Sequence, residues 1–154
     1  MYLNNYEGRS VWRYKLNGDR PEKLPYRCTD TPVFSPDSKS AACFEQPSEP
    51  DSEPLVKIYE FEKGVCVKQL KLPTAVSSEF LCWSPDGKSL GYIDGRGRTS
   101  NVGVVSLNED QPPKLLTHFN TLMINAFDWS ADGKKLLCER GLSENNVVLL
   151  TNQP

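Results

Sequence analysis

The stretch Cys82-Trp83-Ser84-Pro85-Asp86-Gly87-Lys88-Ser89 decides the fold because the chain contains it in three versions. The other two are Val33-Phe34-Ser35-Pro36-Asp37-Ser38-Lys39-Ser40 and Asp128-Trp129-Ser130-Ala131-Asp132-Gly133-Lys134-Lys135. The aromatic residue stands at positions 34, 83 and 129, so successive copies are 49 and 46 residues apart. An aromatic before Ser-Pro-Asp-Gly and a strand-like segment after it predict a repeated β-hairpin.

A second pattern keeps nearly the same period. Segments rich in Val, Ile, Tyr and Trp begin at positions 11, 56, 102 and 147, which are 45, 46 and 45 residues apart. Such segments favour strands. Two different patterns with one period of about 40–50 residues indicate the blades of a β-propeller.

The turn residues explain why the hairpin repeats. Proline presets φ for the first corner, aspartate caps the local backbone, and glycine accepts the left-handed conformation. Ser38 replaces the glycine in the first copy, so we expect a positive φ at a residue with a side chain. Ala131 replaces the proline in the third copy, which keeps the turn without its preset φ.

Four strands are predicted in each complete repeat. One precedes the turn, a second follows it at 40–44, 89–93 and 135–139, and the segments at 11–16, 56–61, 102–107 and 147–151 form the third. Because this third strand is apolar on both faces, we expect it to lie between two neighbouring blades. A more polar fourth strand follows at 22–25, 66–70 and 114–117.

The strand count predicts an all-β, partial β-propeller of about three four-stranded antiparallel blades. Residues 1–30 supply two outer strands, 31–76 and 77–122 each supply a blade, and 123–154 supply three inner strands of an incomplete closing blade. Closed propellers have about 4–8 blades, and 154 residues are too few. We therefore expect the remaining blades of a longer chain, or a second copy of this one, as a partner.

Composition narrows the possible functions. A net charge of −2 gives no electrostatic reason to expect nucleic-acid binding. The chain also has no apolar run long enough to predict membrane insertion. Five cysteines without Cys-x-x-Cys spacing indicate neither a zinc site nor a full disulfide framework. Cys43 and Cys138 occupy the same place in their repeats, which predicts a packing role.

No catalytic residue, cofactor or metal is predicted. His118 is the only histidine, and the chain lacks the Gly-x-Ser-x-Gly elbow of a serine hydrolase. Asp37, Asp86 and Asp132 sit in the hairpin turns, where capping is favoured over cation binding. Residues 108–110 lack the spaced oxygen ligands of a calcium loop and indicate a solvated turn.

Two connecting segments are the candidates for ligand or protein binding. Residues 46–54 are acidic and proline-rich and carry Glu49, Asp51 and Glu53. The equivalent stretch of the next repeat, 94–101, is basic and carries Arg96 and Arg98. The alternative for both is a plain exposed loop without a binding role.

The repeat of aromatic-Ser-Pro-Asp-Gly-Lys-x-Leu resembles that of the TolB-like, WD-like β-propellers. The segments 91–101, 112–119, 127–134 and 139–150 are similar to the closing blades of propellers at the C-termini of bacterial serine/threonine kinases and winged-helix regulators. This resemblance implies a non-catalytic sensory or docking propeller. The alternatives are the propeller cap of a prolyl-oligopeptidase-type peptidase and a self-assembling half-propeller.

One position departs from the resembled blades. Gly103 stands in a third strand where a bulky aromatic is usual, as Trp12 is in the first repeat. The missing ring predicts a shallow void beside the neighbouring blade, or a partner side chain that fills it. The resemblance leaves the compartment open between the cytoplasm and the extracytoplasmic side of a membrane-anchored parent.

Overall fold

The computed structural model describes residues 10–28, 31–45, 55–73, 80–96, 99–108 and 111–141. These residues form twelve strands. In chain order they are β1 (Ser10–Arg13), β2 (Glu22–Arg27), β3 (Val33–Phe34), β4 (Ser40–Glu45), β5 (Leu55–Glu60), β6 (Val65–Lys71), β7 (Cys82–Trp83), β8 (Ser89–Arg96), β9 (Thr99–Ser106), β10 (Lys114–Leu115), β11 (Met123–Trp129) and β12 (Leu136–Gly141).

The strands form four antiparallel sheets in chain order. Two are complete blades, blade A with the order β3-β4-β5-β6 and blade B with the order β7-β8-β9-β10. They are flanked by an N-terminal half-blade, β1-β2, and a C-terminal half-blade, β11-β12. The prediction of an all-β partial propeller is confirmed, while the strand predicted at 147–151 lies outside the described residues.

The core lies between the sheets because strand side chains alternate between two faces. In β4, Ala42 and Phe44 pack with blade B residues such as Trp83 and Leu90. The intervening Cys43 packs in a second cluster with residues of the N-terminal half-blade. A third cluster joins blade B to the C-terminal half-blade. A sheet is thus buried on both faces only where one sheet precedes it and another follows it.

The third strand of each repeat tests this rule. In β5, Val56 and Ile58 are buried toward blade B and Tyr59 is buried on the opposite side, as predicted. The same prediction is wrong for residues 11–16. Strand β1 ends at Arg13, and the side chains of Trp12 and Tyr14 are 45% and 58% exposed because the described residues place no blade in front of them.

The three hairpin turns share one hydrogen-bond network. In the second, the Ser84 hydroxyl donates to Asp86 Oδ1 at 2.6 Å and accepts from the Ser89 amide at 3.0 Å. The Lys88 amide donates to the same carboxylate oxygen at 3.0 Å. The first and third turns repeat these bonds. The aspartates therefore cap the turns, as predicted.

The left-handed turn position gives a matched pair of predictions. Its φ is 58° at Ser38 and 68° at Gly87, which confirms the expected positive φ at Ser38. Ser38→Gly is expected to raise the free energy of unfolding by up to about 1 kcal/mol, because glycine adopts this φ without a Cβ penalty. Gly87→Ala is expected to lower it by about 1 kcal/mol, although its Cβ meets only Pro36 at 3.9 Å. Urea unfolding of both variants should give shifts of opposite sign, and shifts of the same sign would contradict the shared geometry.

Tyr92 explains the glycine at position 103. The two residues face each other across β8 and β9, and a Cβ on Gly103 would lie 2.6 Å from the Tyr92 hydroxyl oxygen. The Tyr92 ring is fully buried. The place of the missing aromatic is thus taken by a ring from the adjacent strand of the same blade, instead of the expected void or partner side chain.

A disulfide joins the N-terminal half-blade to blade A. Cys28, just beyond β2, is bonded to Cys43 of β4, and their Cα atoms lie 5.1 Å apart. Cys43 does pack in the core as predicted, but the bond was not predicted. Sequence spacing carried no sign of it because the two residues become neighbours only when successive blades pack together.

The two tryptophans of the turn motif differ in burial. Trp83 is buried, and its indole nitrogen donates to the Val33 carbonyl of blade A at 2.9 Å. Trp129, its equivalent in the third turn, is only partly buried.

The part of the chain that the structure describes contains no helix that could span a membrane.

Candidate binding surfaces

Of the five residues predicted to bind a ligand or protein, the structure describes only Arg96. Glu49, Asp51, Glu53 and Arg98 lie outside the described residues. Arg96 is the last residue of β8, with its backbone paired to Thr99. A binding role for these five residues therefore stays a prediction.

The prediction of a loop at 94–101 is wrong for six of its eight residues. Strand β8 continues to Arg96 and β9 begins at Thr99, with Asp94 paired to Asn101 and Gly95 paired to Ser100. Asp94 and Ser100 are buried. Two residues suffice to join antiparallel strands, so the strands extend to the tip of the hairpin.

The side chain of Asn101 binds the connection between β10 and β11, residues 116–122, at several points. Asn101 of β9 accepts hydrogen bonds through Oδ1 from the Phe119 amide at 2.6 Å and the Thr117 hydroxyl at 3.0 Å. Its Nδ2 donates to the Phe119 carbonyl at 3.2 Å. The connection is therefore rigidly attached to blade B. Sequence reasoning missed this role, since a lone asparagine carries no pattern that predicts it.

The same connection is also held from the C-terminal half-blade. The Arg140 guanidinium lies over the Phe119 ring, 3.6 Å from its centroid, and donates to the Thr121 carbonyl. Leu122 has a φ of 64°, and the Ser100 amide donates to its carbonyl at 3.3 Å. His118 is exposed in this connection.

Open grooves run between successive blades beside the hairpin turns. The groove between blades A and B has a volume of about 410 Å³ and is lined by the Pro-Asp turns of both blades and by Lys68. The groove between blade B and the C-terminal half-blade, about 500 Å³, repeats this arrangement with Lys114. Because the groove recurs at both junctions, it follows from the way that successive turns pack.

The turn carboxylates make stability depend on acidity. The pKa of Asp37, Asp86 and Asp132 is lowered first by the hydrogen bond from the turn serine and next by a backbone amide. Because the folded pKa is below the unfolded value, this stability is present above pH 3.8 and is lost as the pH falls through the lowered pKa. Replacing the turn serines, Ser35, Ser84 and Ser130, by alanine should lower stability at pH 7 and flatten its acid dependence in urea titrations. An unchanged acid dependence would contradict the assignment.

The free cysteines lack the environment of a nucleophile. Burial raises the pKa of the Cys82 thiol to about 11, with Asp128 as a further cause, so the thiol is protonated at neutral pH. Burial also raises the pKa of Cys138. Among the residues that the structure describes, no three His, Cys, Asp or Glu side chains gather as a metal site would require.

The N-terminal open face is an exposed apolar surface of the described chain. It consists of Trp12, Tyr14, Leu16 and Phe34, all of which are exposed. Tyr59 and Trp83, the equivalents of Tyr14 and Phe34 in the next repeats, are buried against the preceding blade. Lys57, the equivalent of Trp12, is partly buried. Phe34 still meets Phe61 edge to face, with centroids 5.0 Å apart. The face is therefore a blade surface without its neighbour.

The C-terminal open face is its counterpart on β12. Leu137 is 77% exposed and Glu139 is exposed. The equivalent of Leu137 is Ala42 in blade A, which packs toward blade B. In blade B it is Gly91, whose Cβ position lies 2.9 Å from Phe127 of the C-terminal half-blade. Leu137 thus occupies a position that is buried wherever a blade follows.

Comparison with known proteins supports the architecture. No protein-family model matches the chain, and no curated protein matches its sequence. Among solved structures, TolB from Acinetobacter baumannii matches with a TM-score of 0.68 and 20% sequence identity, over 94% of this chain and 35% of that chain. The chain therefore spans about a third of the length of that protein. The likeness shows a TolB-like propeller fold; the narrower resemblance to the blades of kinases and winged-helix regulators stays a prediction.

Proposed function

We propose that this chain is a non-catalytic, protein-binding segment of a propeller. The observation that carries the proposal is the N-terminal open face, where two aromatic side chains and a leucine of one short segment are exposed together with Phe34. Aromatic residues are enriched at protein interfaces and dominate their binding energy. Single exposed apolar residues are ordinary, but Tyr14 and Phe34 occupy positions whose equivalents in the next repeats, Tyr59 and Trp83, are buried.

The mechanism is presentation of a preformed surface. Strand β1 is held by β2, by the disulfide and by Arg13, whose guanidinium bridges Glu22 of its own half-blade and Glu62 of blade A. A partner that covers the face does not have to order these strands, so little binding energy is lost to entropy. Burying an exposed aromatic contributes about 1.5–3 kcal/mol.

A more specific role is part of the proposal. The resemblance of residues 80–151 to closing blades of bacterial signalling propellers favours the C-terminal sensory or interaction part of such a protein. The disulfide between Cys28 and Cys43 supports a location on the extracytoplasmic side, since disulfides persist in oxidising compartments. The gene beyond the ends of this chain tests the role: a kinase or winged-helix domain supports it, and a neighbouring α/β-hydrolase domain supports a peptidase cap instead.

A display experiment tests protein binding itself. A library of genomic protein fragments on yeast would be sorted for binding to the full chain, then for loss of binding to the variant Trp12→Ser/Tyr14→Ser. We expect fragments whose binding depends on the N-terminal open face. The control Val65→Ser changes an exposed apolar residue of β6 away from that face and should keep them. Binding that survives the double substitution, or no binder at all, rejects the proposal.

A further inference from the structure

The two half-blades are complementary parts of one blade. By repeat position, β1 and β2 correspond to β5 and β6, the two outer strands of blade A. By the same comparison, β11 and β12 correspond to β3 and β4, the two inner strands. The N-terminal half-blade thus lacks two inner strands, and the C-terminal half-blade consists of such a pair.

We propose that a second copy of this chain supplies the missing strands, with β12 of one copy pairing with β1 of the other. This inference rests on the proposed function, because it names the partner of the N-terminal open face. The twelve described strands amount to three blades of four, so two copies make six. Six lies within the usual range for closed propellers. Both junctions are the same head-to-tail contact, so the ring closes at two copies.

The register of the complete blades predicts which residues meet. Blade A pairs Ala41 with Tyr59 and Cys43 with Lys57, and blade B pairs their equivalents in the same way. The corresponding pairs across the new junction are Leu136 with Tyr14 and Cys138 with Trp12. Both exposed aromatics then lie on the face that packs against the preceding blade.

Side-chain size supports this register. In blade B, the large Tyr92 faces Gly103, and in blade A the small Cys43 faces the long Lys57. Each blade therefore combines one small and one large residue at this pair. Cys138 and Trp12 keep that balance. Among the described residues Cys138 is paired with Phe127 of β11 and Trp12 with Lys23 of β2, so the second edge of each strand is open.

The other exposed apolar residues are explained by the same junction. Trp83 of blade B packs against blade A and bonds to the Val33 carbonyl of its innermost strand. Phe34 is the equivalent of Trp83, so it would pack against β11 and β12 of the second copy. Leu137 would then be covered by blade A of that copy, as Ala42 is covered by blade B. Glu139 would lie diagonal to Arg13, which has the opposite charge.

A strand formed by residues 147–151 would compete for the same position. Their sequence predicts a third strand for the closing blade, which would take the edge of β12 that we assign to β1 of the second copy. The substitution Val148→Pro in the full chain separates the two arrangements, because proline removes a ladder hydrogen bond from a central strand. If β1 of the second copy occupies this edge, the variant still forms dimers; if the variant loses the dimer, the proposed junction is wrong.

Light scattering after size exclusion tests the proposal on the full chain over a range of concentrations. We expect a mass of twice 17.3 kDa that falls on dilution. Trp12→Ser/Tyr14→Ser at one end and Leu137→Lys at the other should each raise the dimer dissociation constant by tenfold or more. All three residues are exposed, so circular dichroism should show folded variants. Val65→Ser should dimerise like the unchanged protein.

Mixing the two end variants distinguishes head-to-tail pairing from other dimers. Each variant keeps one intact end, so the mixture can form one intact junction and should dimerise more than either variant alone. A dimer lost only on N-terminal substitution, or a monomer at all concentrations, overturns the second copy as partner. In that case, face-dependent binders from the display library would still support the proposed function, whereas their absence would reject both.

Discussion

Reduction of the Cys28–Cys43 disulfide is expected to lower the free energy of unfolding by about 3 kcal/mol. The bond closes a loop with a sequence separation of 15 residues, and cross-linking such a loop restricts the unfolded chain by about this amount. The effect is large for a domain of this size because the bond joins the N-terminal half-blade, which is packed on one face only, to blade A. Urea unfolding with and without a thiol reductant measures the difference.

Two controls make the disulfide result specific. The variant Cys28→Ala/Cys43→Ala should be insensitive to the reductant, while Cys66→Ser, which removes a free cysteine, should keep the full sensitivity. Thiol titration of the denatured protein should give three reactive thiols before reduction and five after it. Five thiols before reduction would show that the bond is absent.

Gly103→Ala is expected to lower the free energy of unfolding by about 1–3 kcal/mol, the range found when a packed core is overfilled. The added Cβ would lie 2.6 Å from the Tyr92 hydroxyl oxygen and 2.7 Å from Cε2 of the same ring. Tyr92 is buried between blades A and B and has no room to move aside. Thermal or urea unfolding measures the loss.

Gly95 provides the matched control, because it lies in the same pair of strands but has only the Met123 methyl group near, at 3.9 Å. Gly95→Ala should change stability little. In the background of Tyr92→Leu, the cost of Gly103→Ala should fall, and a double-mutant cycle measures this coupling. Equal losses for Gly95→Ala and Gly103→Ala would contradict the account of Tyr92.

Much of the fold could be predicted from the sequence because the signals are local and repeated. The Ser-x-Asp turn satisfies its own hydrogen bonds within a few residues, so its three copies predicted three hairpins and even the positive φ of Ser38. Strand β5, apolar on both faces, was correctly placed between two blades.

The incorrect predictions share a physical cause. Each concerns a feature that depends on contacts between segments distant in the sequence. Strand β1 has the same apolar pattern as β5, but its outward face is exposed because no described blade precedes it. The disulfide and the clamp of Asn101 on residues 116–122 arise from neighbours that only the fold creates. Residues 94–101 lack apolar residues at their centre, so composition suggested a loop where cross-strand pairing extends the hairpin.

Hydroxyl-radical footprinting of the unmodified protein, read by mass spectrometry at low and high concentration, shows whether the two open faces meet in an assembly of copies. We expect Trp12, Tyr14, Phe34 and Leu137 to be oxidised readily in dilute protein and to become protected together as the protein concentration rises. Val65 and Val67 should stay reactive throughout, and Trp83 and Tyr92 should stay protected. If the first four residues react equally at all concentrations, or are protected independently of one another, the two open faces do not form one junction between copies.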